Sequence, residues 1–195
     1  MKKIDILMAG VGGQGTILAS NILAEIGLEL GYQVKKSEVH GMAQRGGTVE
    51  SHVRWGEKIF APLIEQGYAD YLLGFEMLET ARWPHYIKEG AVVIINRYKI
   101  PPPGVNLGKE TYPSEQEIES ILTSVGGRVI WVEGTRIATD LGNPAMIGVV
   151  LIGVLSKLLG GAEETWMQII QSLVPGKFLE MNKEAFLAGR ALNVA

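Results

Sequence analysis

The most constraining feature lies close to the start. "GVGGQG", Gly10 to Gly15, follows the short apolar run "IDILMA" (Ile4 to Ala9) and leads directly into "TILASNILAEIGLEL". An apolar run, a glycine cluster and a helical pattern in that order predict a β–turn–α unit with G-x-G-x-x-G spacing. Glycine permits positive φ, and its missing side chain lets the backbone approach a ligand. The following helix offers free N–H groups and a partial positive charge to a phosphate. Gly10, Gly12, Gly13, Gln14, Gly15 and Thr16 are therefore candidate phosphate-binding residues. The plain structural alternative is that these glycines only let a helix pack closely on a strand.

The remaining pattern extends this unit into an α/β domain. Thr16 to Leu30 reads as a helix in which Ile17, Asn21, Ala24 and Leu28 share one stripe, with Leu18, Ile22 and Ile26 beside it. Gly31 ends it. "QVKKS" (Gln33 to Ser37) reads as a second strand. In "TVESHVRW", Val49, Ser51, Val53 and Trp55 share one face and Glu50, His52 and Arg54 the other, a period-two strand. Further short strands fall at Ala69 to Glu76, Ala91 to Asn96 and Arg128 to Gly134. Helices fall at Met77 to Trp83, after a Ser114/Glu117 capping box, after the Asn143–Pro144 start signal, at Thr165 to Ser172 and at Phe178 to Leu192. This alternation predicts one Rossmann-like domain over residues 1–195, with a mainly parallel, doubly wound sheet and helices on both faces.

Composition excludes several chemistries. The 195 residues carry a net charge of -3, which argues against a general nucleic-acid binder. With no cysteine, the chain supplies no thiolate to an iron–sulfur cluster and no cysteine nucleophile. "AMIGVVLIGVL" (Ala145 to Leu155) is too short for a membrane span and reads as a buried helix. The expectation is a cytoplasmic protein that binds neither membrane nor nucleic acid.

A dinucleotide site of the NAD type wants an acidic residue at the end of the second strand. Here Lys35 and Lys36 occupy the predicted strand end, although Glu38 is near the right distance. The lysines favour a ligand with more phosphate over a bare ribose diol. The loop "HGMAQRGG" (His40 to Gly47) is expected near the glycine turn, because loops at strand C-termini line one crevice. Gln44 and Arg45, set against Gly46 and Gly47, add a planar cation and polar groups suited to phosphate or carboxylate. His52, with Glu50 and Arg54, reads as a polar face or subunit contact, and His85 as a turn residue. Glu76 and Glu79 read as helix-terminal charges. No histidine pair has metal-binding spacing, so no metal is expected. No residue is assigned as catalytic acid, base or nucleophile.

Taken together, "AGVGGQGTILASNIL", "SEVHGMAQRGGTVESHVRWG", "ADYLLGFEMLETAR" and "NPAMIGVVLIGVL" resemble the gamma-type subunit of 2-oxoacid:ferredoxin oxidoreductases, and within that family the small beta subunit of the indolepyruvate type. The resemblance runs from Ile4 to about Gly189. It implies a subunit that is inactive alone and that supports oxidative decarboxylation of a 2-oxoacid, with an aryl pyruvate favoured. It places thiamine diphosphate and iron–sulfur clusters in a large partner subunit that delivers electrons to ferredoxin. It also implies contact with coenzyme A, whose phosphates Gly12, Gly13, Gln14 and Gly15 would hold, with charge added by Lys35, Lys36 or Arg45. Two rival readings stand beside it: a stand-alone NAD(P)-dependent oxidoreductase, and a structural subunit that holds no ligand. A homodimer of the isolated chain is compatible with all three.

Overall fold

The computed structural model describes residues 3–40 and 47–193. Among them, six strands form one sheet: β1 (Ile4–Val11), β2 (Gln33–His40), β3 (Thr48–Gly56), β4 (Ala69–Gly74), β5 (Ile87–Asn96) and β6 (Arg128–Val132), in the order β2-β3-β1-β4-β5-β6. β1, β4, β5 and β6 pair in parallel. β3 runs antiparallel to β1 on one side and to β2 on the other. The second strand therefore does not neighbour the first, because β3 inserts between them.

Helices cover both faces. On one lie α1 (Thr16–Glu29), α5 (Gly134–Asp140), α6 (Ile147–Leu159), α7 (Glu163–Leu173) and α8 (Leu179–Ala191). They close over Ile6, Met8, Val53, Trp55, Leu73, Phe75 and Ile94. The other face carries α2 (Met77–Thr80) and α4 (Glu115–Ser124), with Ile118 and Leu122 packed on Leu7, Leu72, Val93 and Ile95. A single turn, α3 (Pro103–Asn106), precedes α4. α6 is buried from Ile147 to Ser156, as its unbroken apolar sequence requires. The capping box at α4 forms: the Ser114 hydroxyl accepts from the Glu117 N–H, and the Glu117 carboxylate accepts from the Ser114 N–H.

Three elements differ from expectation. β2 continues through His40 rather than ending at Ser37, so Lys35 and Lys36 sit mid-strand. α2 spans one turn, after which a 3-10 turn at Pro84–Tyr86 leads into β5. α5 has no apolar period and so left no helical signal in the sequence. No helix among the described residues is long and apolar enough to cross a membrane.

Candidate functional site

At the carboxyl edge of the sheet, β1 ends at Val11 and the chain turns through Gly12–Gly15 into α1. Gly13 and Gly15 take φ of +104° and +81°, conformations that L side chains rarely adopt. A Cβ on Gly13 meets nothing within 4 Å, so its requirement is purely conformational. One on Gly15 would also lie 2.8 Å from the Ala145 carbonyl oxygen. α1 has no side-chain cap and no acidic residue in its first turn, so its N-terminal N–H groups face outward without a competing carboxylate.

The turn's other residues serve the protein itself. Gly10 lies within β1, where a Cβ would come within 2.7 Å of the Phe75 Cβ; its absence serves strand packing rather than ligand approach. The Gln14 carboxamide accepts from the Val11 N–H at 2.7 Å and donates to the Phe75 carbonyl at 3.0 Å, which staples the turn to the end of β4. Thr16 is buried. The Gly12 N–H donates to the Gly47 carbonyl at 2.9 Å, so the described end of the His40–Gly47 loop meets the glycine turn. Gln44, Arg45 and Gly46 lie outside the described residues.

Facing the turn is a crevice of about 330 Å³, lined by Gly12, Gly13, Gln14, Tyr98, Thr135 and Asn143 with Ile100, Pro144, Ala145 and Ile147. Among the described residues no carboxylate lines it. Its far wall is fixed from beneath. Asn96, fully buried, donates from Nδ2 to the Phe75 carbonyl and to the Thr135 hydroxyl, each at 2.9 Å, and its Oδ1 accepts from the Thr135 N–H. Asn143 accepts from the Ala145 N–H and starts the turn into α6. The Glu76 carboxylate accepts from the Glu79 and Ile100 N–H groups and from the Tyr112 hydroxyl, which anchors the strand of chain carrying Tyr98 and Ile100. Burial and the adjacent Glu76 carboxylate together hold the Tyr112 hydroxyl far above its usual pKa. Glu76 thus caps α2, as expected of a helix-terminal charge. Tyr98, Asn96 and Thr135 carried no sequence signal, because only the placement of β5 and β6 beyond β4 in the sheet brings them near the glycine turn.

The lysines are not at this site. Lys36 pairs in register with Val53, and Val53 with Ile6. That level is six residues short of Gly12, roughly 20 Å along the strand at about 3.3 Å per residue. Its Nζ is bound to Glu38 at 2.8 Å and to Asn21 of α1. Lys35 lies on the opposite face, level with Arg54 and Asp5. The cause is β3: with an antiparallel strand between them, β2 does not deliver its side chains to the turn after β1. For the same reason Glu38, which also accepts from the Ser20 hydroxyl, stands away from the position of a ribose-binding acid.

The other face of β3 carries a buried polar group. Arg54 pairs with Asp5, Nε to Oδ1 at 2.9 Å, and also donates to the Ala61 carbonyl at 3.1 Å. His52 Nδ1 accepts from the Ile64 N–H, and its Nε2 lies 3.7 Å from Glu50. Burial first, and then the Arg54 charge, lower the His52 pKa to about 4, while Asp5 opposes them. Burial also raises Glu50 and Glu79. His85 sits exposed in the 3-10 turn, stacked on Trp83. Among the described residues no group of three or more His, Asp or Glu side chains is placed to hold a metal ion.

Known proteins match this chain along nearly its whole length. Indolepyruvate oxidoreductase subunit IorB of Thermococcus kodakarensis is 39% identical over 192 residues, covering 97% of this chain and 95% of the relative. The gamma subunit of a keto/oxoacid ferredoxin oxidoreductase from Geobacter sulfurreducens superimposes with a TM-score of 0.69 at 26% identity, covering 95% of each chain. A 2-oxoglutarate:ferredoxin oxidoreductase from Magnetococcus marinus, solved with 2-oxoglutarate, coenzyme A and succinyl-CoA, shares the fold with a TM-score of 0.74 at 22% identity, over 98% of this chain and 31% of that one. The family model described as pyruvate ferredoxin/flavodoxin oxidoreductase matches residues 5–192, and the chain belongs to that family.

Proposed function

We propose that this chain is the non-cluster subunit of a 2-oxoacid:ferredoxin oxidoreductase acting on indolepyruvate or a related aryl pyruvate, and that the crevice at its glycine turn receives a phosphate-bearing part of coenzyme A. The observation that carries the reading is the full-length likeness to an indolepyruvate oxidoreductase subunit, together with an anion-compatible crevice at the one turn where α1 begins. Thiamine diphosphate and the clusters belong to a large partner subunit, which passes electrons to ferredoxin. The complex is cytoplasmic.

The crevice fits an anionic ligand. Among the described residues its walls contain no carboxylate, and the Gly12–Gln14 turn that leads into the uncapped start of α1 forms one side of it. Coenzyme A, when bound, supplies the thiol that accepts the acyl group. This chain's part is placement. Gly13 and Gly15 set the turn, and Gln14 holds it against β4. Asn96 and Thr135 fix the opposite wall. Tyr98 and Ile100 close the outer side. Arg45, with Gln44 and Gly46, contributes from the neighbouring loop, whose end at Gly47 is tied to Gly12. Lys35 and Lys36 take no part.

The test is coenzyme A titration of the assembled complex. Arg45→Ala is expected to weaken binding at least about tenfold, or 1.4 kcal/mol, and to lower turnover without changing the melting of this subunit. Affinity unchanged in both Arg45→Ala and Gly13→Ala would return the chain to a purely structural role.

A further inference from the structure

β2 is an edge strand whose guards are its charged residues, Lys35, Lys36 and Glu38. It runs for eight residues, contains no proline, and pairs with β3 in unbroken register from Gln33↔Gly56 to His40↔Val49. The opposite edge, β6, has only five residues. A long, regular edge presents unpaired N–H and C=O groups to any strand that can add to it. Lys36 does not block the approach, because its ammonium is drawn over α1 to Glu38 and Asn21. The contact with Asn21 also shows which side of α1 borders this edge. It is the stripe of Ile17, Asn21, Ala24 and Leu28, in which Ile17 and Leu28 remain 50% and 52% exposed. Val39 on β2 itself is 43% exposed. Among the described residues, a strand edge that pairs with no further strand and an exposed apolar helix stripe therefore lie side by side.

We infer that a second copy of this chain fills this edge by antiparallel β2–β2 pairing about a two-fold axis, joining the two sheets and packing α1 against α1. The occupant follows from charge and parity. A two-fold axis perpendicular to a continuous sheet keeps the faces in common, so residues directly opposite must have the same parity. Centring on Lys36 sets two ammonium groups face to face. Centring on Glu38 does the same with two carboxylates. Centring on Ser37 places Lys36 opposite Glu38 of the second copy, twice, and lays the Lys35 stem against Val39. Of these three registers the Ser37 one is electrostatically self-complementary, and it alone sets both Lys36–Glu38 pairs across the seam. Neighbouring strands are about 4.8 Å apart, and α1 lies over β2 and β3, with Gly27 against Val34 and Trp55. The two α1 axes then fall roughly 10–14 Å apart, near the 8–10 Å of packed helices. Ile17 and Leu28 meet across the seam. The inference does not depend on the coenzyme A reading.

Because the chain contains no cysteine, an introduced one reports cleanly. Sedimentation of the purified full-length chain is expected to give twice the chain mass. In Ser37→Cys the two thiols stand directly opposite, within disulfide reach, so mild oxidation should give a cross-linked dimer on a non-reducing gel. Val39→Cys should not link to itself, since its mates lie four residues apart along the pair, about 13 Å. Glu38→Lys should raise the dimer dissociation constant at least tenfold, about 1.4 kcal/mol. Adding Lys36→Glu to it should restore the dimer. A wild-type chain that sediments as a monomer overturns the inference. So does cross-linking of Val39→Cys without Ser37→Cys, or a Glu38→Lys dimer as tight as wild type.

Discussion

β4, β5 and β6 bury aliphatic side chains on both faces, and among their described residues the one polar side chain sunk completely is the neutral amide of Asn96. β1 and β3, a few ångströms away in the same sheet, bury Asp5, Ser51, His52 and Arg54. The two regions use their polar groups differently. On the β4–β6 side, Asn96 and Gln14 converge on one carbonyl, that of Phe75, and hold the floor of a crevice that carries no fixed negative charge. On the β1–β3 side, an ion pair is spent on architecture: Arg54 grips Asp5 and the carbonyl of the segment that follows β3. Charge is kept out of the crevice wall and placed where it ties strands to loops.

The sharpest way to break this contrast is to remove half of the buried pair. Asp5→Ala leaves the Arg54 guanidinium desolvated with only carbonyl partners. Such a loss costs about 3–5 kcal/mol, read as a fall in the urea midpoint at unchanged slope. Coenzyme A affinity of the surviving folded complex is expected to stay within about twofold, since Asp5 lies at the far end of β1 from the turn. A large loss of coenzyme A affinity would join the two regions into one.

His52 sharpens the contrast by pH. Its pKa is lowered in the folded chain, to about 4, below the 6.5 of the unfolded state. The unfolded chain therefore takes up the proton first as pH falls, and stability is lost between pH 6.5 and pH 4. From pH 6.5 to pH 5 the loss is about 2 kcal/mol at 1.36 kcal/mol per unit. Glu50 and Glu79, raised by burial, act in the opposite sense on the same descent. The measurement is therefore the difference between wild type and His52→Asn, whose amide oxygen can still accept from the Ile64 N–H. That difference should shrink by about 2 kcal/mol between pH 6.5 and pH 5, and a constant difference would show that His52 is not held neutral.

On the crevice side, Asn96→Ala strips three hydrogen bonds from a buried site. It should cost about 1–3 kcal/mol of stability. It should also weaken coenzyme A binding to the complex, because the Thr135 wall loses its anchor. Lost stability with unchanged binding would make Asn96 a fold residue only.

How much of this was legible depended on the range of the cause. The β1–turn–α1 unit, the two faces of "TVESHVRW" and the Ser114 cap are written in contiguous residues, and the structure follows them. The strand order is not. Nothing in "QVKKSEVH" says that β3 will stand between it and β1, so the pattern points Lys35 and Lys36 to a turn that they do not reach. The glycine cluster was readable as a turn, but not which of its members serve the fold. Gly10 packs on Phe75 and Gln14 bonds the end of β4, both through partners more than sixty residues away. Tyr98, Asn96 and Thr135 were missed for the same reason.

The smallest expected effect on stability falls at the turn itself. Gly13→Ala adds a methyl group where nothing lies within 4 Å, so no clash confounds it. What changes is the preference of the backbone at φ +104°. Forcing an L residue into that conformation costs about 1–2 kcal/mol, and the chain can relieve the strain by rotating the Gly12–Gly13 peptide. Melting should therefore shift by only a few degrees, roughly as expected for 1 kcal/mol in a domain of this size. Relief of the strain reorients the Gly13 N–H, on a residue that lines the crevice. Coenzyme A affinity is then expected to fall by more than the loss of stability accounts for, by titration of the assembled complex. Asp5→Ala should show the reverse pattern, a large loss of stability and little loss of affinity. If Gly13→Ala also loses stability without affinity, the glycine turn is a packing device and the two sides of the sheet differ in materials but not in role.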